Sequence, residues 1–197
     1  MDWNRLDKTQ SQQILQHISI AADPGMFAPN SSEASFKPLS FYQDYMIYRV
    51  TNYATLPSFS LDFLSDGESF HLLDGSPSPI SIVNTKGTLY LTETNVIDYV
   101  EFYLENIRGD DGDIYMIGDV ENLPFLDSLS LDQQVNLKQQ HVAPSIAINE
   151  ETEDFIVLCD LFYDGTLVQA GISVTTSGEI NIQPREMIMA SHAGGRA

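Results

Sequence analysis

The chain has 197 residues, 43% of them hydrophobic, with 10 Phe, 9 Tyr and a single Cys, and 28 acids against 9 bases give it a formal net charge of −19. That apolar content fills one sizeable core, so a single domain over 1–197 is expected. No apolar run approaches the ~20 residues of a membrane span, and the start Met1-Asp2-Trp3-Asn4 lacks the basic and then apolar order of a signal peptide, so a cytosolic protein that spans no membrane is expected.

The acids are unevenly placed, with 22 of them and only 4 bases between residues 41 and 165, a local balance of −18. Such a field repels nucleic-acid phosphates and anionic lipid and is compatible with a basic protein partner. Solubility, or life in salty surroundings, is the plainer explanation of the same excess.

In chain order, Ile14, Leu15 and Ile18 predict a short helix that Asp23-Pro24-Gly25 stops. The Ser, Asn and Pro-rich stretch 26–38 reads as an irregular loop. Phe41 to Asn52 is aromatic and β-branched and reads as a strand. Phe59, Leu61 and Phe63 alternate with polar residues along a second strand, and Asp66-Gly67 turns it back into Ser69–Leu73 as a hairpin. Asp74 to Pro79 reads as a tight loop before Ile80, Ile82 and Val83.

The strongest local pattern runs from 88 to 109. Leu89 and Leu91 end a short strand, Thr92 is placed to cap a helix, and Leu91 with Val96 has the spacing of a hydrophobic staple. Val96, Val100, Tyr103 and Ile107, widened by Tyr99 and Leu104, form an apolar stripe opposite Asp98, Glu101 and Glu105. Gly109 has the conformational freedom to close this central amphipathic helix. Beyond a turn at Gly109 to Gly112, Ile114–Ile117 reads as a strand. Ser130 then caps a helix to Gln140 with Leu131, Val135 and Leu137 inward.

Strands at Ser145–Ile148, Phe155–Tyr163, Thr166–Thr175 and Glu179–Ile182 are joined by connections too short for parallel crossovers, so they form an antiparallel C-terminal meander. Residues 191–197 are small and polar and are expected to fray. Strand runs without βαβ alternation define an α+β class: an antiparallel sheet with the central helix and one or two shorter helices mainly on one face.

The segment His71-Leu72-Leu73-Asp74-Gly75-Ser76-x-x-Pro79-Ile80, followed by Leu89-x-Leu91-Thr92-x-x-Asn95-Val96-x-Asp98-Tyr99-x-x-Phe102 and Arg108-Gly109, resembles an uncharacterised proteobacterial protein family. Tyr163-Asp164, Leu167, Ala170 and Gly178 in the meander are similar as well. The resemblance covers residues 40–182. It implies a bacterial cytosolic origin and one domain, and no activity.

Chemistry is sparsely signalled. His17, His71, His141 and His192 form no ligating pair and one cysteine excludes a zinc ribbon, so no metal or other cofactor is expected. Asp110, Asp111 and Asp113 lack the order of a calcium loop and read as a solvated turn. Cys159, in an apolar strand, reads as an inert buried thiol. His71, Asp74 and Ser76 are close in sequence, but without a nucleophile elbow the economical role of Asp74 and Ser76 is to shape a turn. Glu150, Glu151, Glu153 and Asp154 read as a charged face.

Phe41, Tyr42, Tyr45, Tyr48 and Tyr53 exceed what one strand face needs, so some are expected at a surface, with Tyr42 and Tyr45 as interface candidates and core packing accounting for most. The resulting expectation is a non-enzymatic module that binds a protein partner, basic or a second copy of itself. The alternative is a small-molecule enzyme or binding protein with a pocket between sheet and helix near His71, Asp74 and Ser76.

Overall fold

The computed structural model describes every residue except 1–2, 22–24, 88, 110–111, 124–125, 164–165 and 191–197. The tail expected to fray and the two aspartates 110 and 111 therefore lie outside the described residues, as does part of the Asp23-Pro24-Gly25 stop. The fold is α+β with antiparallel sheets, as the strand runs predict. The chain divides into two compact units, residues 1–90 and 91–197.

In the first unit five strands lie side by side in chain order: β1 (Asn4–Arg5), β2 (Ser32–Pro38), β3 (Met46–Asn52), β4 (Phe59–Ser65) and β5 (Phe70–Leu72). Every neighbouring pair is antiparallel. The β4–β5 reversal uses Gly67 at φ +96, a conformation open chiefly to glycine, as Asp66-Gly67 predicts. Helix α1 (Lys8–Ala21) places Leu15 and Ile18 against Phe27, Ala34, Val50 and Phe63.

Three readings of this region need correction. The supposed loop 26–38 contains β2, whose inward residues Ser32 and Ala34 are too small and polar to register as apolar alternation. Ladders to β1 and β3 on both sides, rather than side-chain pattern, make it a strand. The strand expected from Phe41 begins only at Met46, because Phe41, Tyr42 and Tyr45 turn their rings into the interior ahead of it. The loop before Ile80 gives way at Ser78 to α2 (Ser78–Lys86), which buries Ile80 and Val83. Pro79 stands in its first turn, where a missing amide costs nothing.

The second unit contains α3 (Val96–Asn106), a two-stranded ribbon of β6 (Arg108–Gly109) and β7 (Gly112–Asp113), β8 (Tyr115–Ile117) and α4 (Leu131–Gln140), followed by the meander β9 (Ser145–Ile148), β10 (Phe155–Tyr163), β11 (Thr166–Val174) and β12 (Ile180–Ala190). The meander strands pair with their chain neighbours, and β8 adds to the other half of the β10 edge that β9 occupies. The outermost strand runs eight residues beyond the Ile182 limit read from the sequence.

Helix α3 buries Val96, Tyr99, Val100, Phe102 and Leu104 and leaves Asp98, Glu101 and Glu105 exposed. Its ends differ from expectation. The cap is Asn95, not Thr92, and the helix starts three residues later than expected. The Thr92 hydroxyl bonds Thr94 instead, while the Asn95 carboxamide oxygen accepts from the Thr92 amide at 2.7 Å and closes a turn before the helix. The staple counted from Thr92 is lost with it. At the other end Ile107, in an extended conformation, terminates the helix, and Gly109 belongs to the ribbon.

Helix α4 does start at a Ser130 cap, with a reciprocal Ser130–Gln133 capping box. Only Leu137 of its three expected core residues is buried, among Ile117, Val120, Leu123, Leu126 and Leu167. Leu131 and Val135 face outward, at 78% and 53% exposure.

Candidate functional site

The five residues singled out from sequence lie in the first unit and separate into a buried group and a surface turn. Asp74 accepts from both the amide and the hydroxyl of Ser76, at 2.9 and 2.7 Å, so each satisfies the other within the turn. These bonds hold the Asp74 carboxyl below its ordinary range. Tyr42 and Tyr45 are core residues, so neither is available as an interface tyrosine. The Tyr42 hydroxyl donates to the side-chain oxygen of Asn84 on α2. Among the aromatics of this stretch, Tyr53 is the one that reaches the surface, at 56% exposure.

His71 on β5 stands 6.4 Å from the Tyr45 ring, centroid to centroid. Its Nε2 is buried with no hydrogen-bond partner. Burial and the nearby Lys86 charge push its pKa down, against the pull of Asp66. Burial also raises the Tyr45 phenol, helped by the Asp66 charge and a hydrogen bond to it. Burial alone would raise the Asp66 carboxyl, but the amides of Ser69 and Glu68, at 2.8 and 3.0 Å, hold it low. A neutral imidazole, a protonated phenol and an ionised carboxylate thus meet where α2 ends, an arrangement with no activated nucleophile.

A second histidine site, which the sequence reading passed over, lies in the other unit. Asp160 on β10 is fully buried, and its Oδ2 accepts from the Val142 amide at 3.0 Å and lies 2.7 Å from His141 Nδ1. Its Oδ1 has no partner. The sole cue in sequence is an aspartate inside the otherwise apolar run Phe155–Leu161. The neighbouring Cys159 is buried, and its thiol is pushed up to about 12 by burial and by the Asp160 charge, as an inert core cysteine should be.

The first unit also carries an open cleft of about 580 Å3 around the start of α1. Asp7 and Gln10 cap that helix reciprocally, the Gln10 amide donating to Asp7 Oδ1 at 2.8 Å and the Asp7 amide to Gln10 Oε1 at 3.1 Å. One wall holds Arg5, paired with Glu33 of β2, and Lys8. Asn30, Ser31 and Tyr53 also line it, the Tyr53 amide donating to the Ser31 carbonyl at 2.8 Å. In its lining, Ser32 is 6% exposed and its hydroxyl has no partner. The spacing Asp7-x-x-Gln10 was the sequence signal for this region; the serines read as loop residues concealed the rest.

Charge divides sharply between the units. Residues 91–197 carry 19 acids and 4 bases, against 9 and 5 in residues 1–90. Glu150, Glu151 and Glu153 are exposed, as a charged face requires. Among the described residues no helix is long and apolar enough to cross a membrane.

No family model matches the chain, and no curated protein or solved structure matches it either.

Proposed function

We propose that this is a non-catalytic cytosolic protein whose acidic second unit docks a basic partner protein. The observation that carries the reading is the outer face of α4, where Leu131 and Val135 stand exposed one helical turn apart. They lie in the unit whose balance is −15 by sequence. Exposed apolar side chains on a unit of one dominant charge favour a partner that offers apolar anchors within a basic surface: the charge accelerates encounter and the apolar pair supplies lasting contact. A second copy of the same face would bring like charge against like charge, so the basic partner is favoured over self-association.

The test compares the unaltered chain with Leu131→Ser/Val135→Ser in capture from cell lysate at low salt and at ~0.5 M salt, where screening is nearly complete beyond a few ångströms. The reading expects a basic protein retained at low salt, released at high salt and lost from the double variant. Retention that ignores both salt and the substitutions, or none at all, sinks it.

A further inference from the structure

We propose that the cleft at the start of α1 binds a small neutral polyhydroxylated ligand of the sugar class. This is independent of the acidic docking face, since every residue involved belongs to the first unit.

Three properties of the cleft select that chemistry. Its volume, about 580 Å3, is that of a ligand site rather than a packing defect. Its charges cancel: Arg5 and Lys8 are matched by Asp7 and Glu33 in a chain that is otherwise strongly acidic. An anion would meet two carboxylates there, one of them already capping the helix, and a hydrophobic ligand would strip water from guanidinium, carboxylate and amide groups and return nothing. A sugar hydroxyl both donates and accepts, so one ring can serve a carboxylate, a guanidinium and a carboxamide at once.

The third property is the orphan hydroxyl. Ser32 is nine-tenths buried in the lining of the cleft, and its Oγ lacks the partner that buried polar groups nearly always have. The nearby Ser11 hydroxyl, by contrast, is engaged, accepting from the Ala34 amide at 3.3 Å. The Oγ is closed off from solvent, so a ligand hydroxyl meets it when the Ser32 side chain turns toward the cleft about its single χ1 bond. Tyr53, exposed at the rim and anchored through its own amide, presents a ring on which the apolar face of a sugar can rest.

The full-length chain is titrated calorimetrically with D-glucose, maltose and cellobiose as neutral probes, glycine as a zwitterion and inorganic phosphate as an anion. At least one neutral probe should bind saturably, with Kd at or below roughly 10 mM. Tyr53→Ala, a surface change, and Glu33→Gln should each weaken that binding ~5-fold or more. Ser32→Ala should weaken it comparably while leaving Tm unchanged or higher, because the substitution removes a hydroxyl that is unsatisfied without ligand. The proposal is overturned if no neutral probe saturates, if phosphate or glycine binds more tightly than every sugar, or if Tyr53→Ala and Ser32→Ala leave the affinity unaltered.

Discussion

Tyr99, wholly buried on α3, donates its phenolic hydroxyl to the carbonyl oxygen of Gly178 at 2.6 Å, across 79 positions of sequence. The bond ties the helix to the turn between β11 and β12, where Gly178 sits at φ +83. A helix face and a strand reversal are thereby held against each other by a polar contact inside an apolar interior. Tyr99→Phe keeps the ring and leaves a buried carbonyl unmet, so it should cost about 1–3 kcal/mol. Urea denaturation checks this: the midpoint should fall with the slope unchanged.

Gly87, which follows α2, has no room for a side chain. A Cβ there would lie 2.9 Å from a carbon of the Tyr45 ring and 2.9 Å from the Val83 carbonyl oxygen. Neither the buried ring nor the helix backbone can yield cheaply, so Gly87→Ala should destabilise by about 1–3 kcal/mol. Tyr45→Leu in the same chain should recover part of the loss, giving a non-additive cycle that a mere change in local flexibility would not produce.

Asp160 and His141 should behave as one unit. Asp160→Ala strands the Val142 amide and the imidazole, and His141→Ala leaves a fully buried carboxylate short of a partner. Each should cost roughly 2–5 kcal/mol, and the double variant little more than the worse single one. Thermal unfolding of the three variants measures the coupling; full additivity would show the contact to be idle.

The depressed pKa of His71 makes the protein acid-sensitive in a defined window. Because its folded pKa lies below the ordinary histidine value, the unfolded chain takes up a proton first as pH falls. The contribution is present above the ordinary value of 6.5 and is lost as pH drops through the lowered one. Stability should therefore begin to decline as pH falls below 6.5, before the low-lying carboxylates Asp66 and Asp74 protonate below their ordinary range. In His71→Phe the decline that sets in below pH 6.5 should shrink, leaving the later carboxylate phase in place.

Legibility in the sequence followed the strength of local signals. The meander is readable because its central strands β10 and β11 are long, apolar and bounded by turn residues, and the α4 cap because Ser130 and Gln133 have capping-box spacing. Asp7 and Gln10 carry the same spacing, but the start of α1 is polar and its apolar period begins only at Ile14, so the cap stands apart from the pattern that marks the helix. Strand β2 was hidden because Ser32, Ala34 and their neighbours take their structure from the strands beside them. The α3 start was misplaced by rival local chemistry: Asn95 used its side chain to bond backward to Thr92, an outcome that residue type alone does not distinguish from a threonine cap. Sites fared worse than elements. The cleft and the His141–Asp160 pair join residues distant in the chain, and neither leaves a motif.

Strand β12 has a further consequence. It is the terminal strand of its sheet among those described, and a free border of eleven residues is a template on which another chain could polymerise. Two features frustrate that. Pro184 contributes no amide to a newcomer, and the ladder to β11 slips register at two places, so the border lacks the straight, evenly spaced row that fibril growth copies. Concentrated solutions of the chain should accordingly not form amyloid through this border.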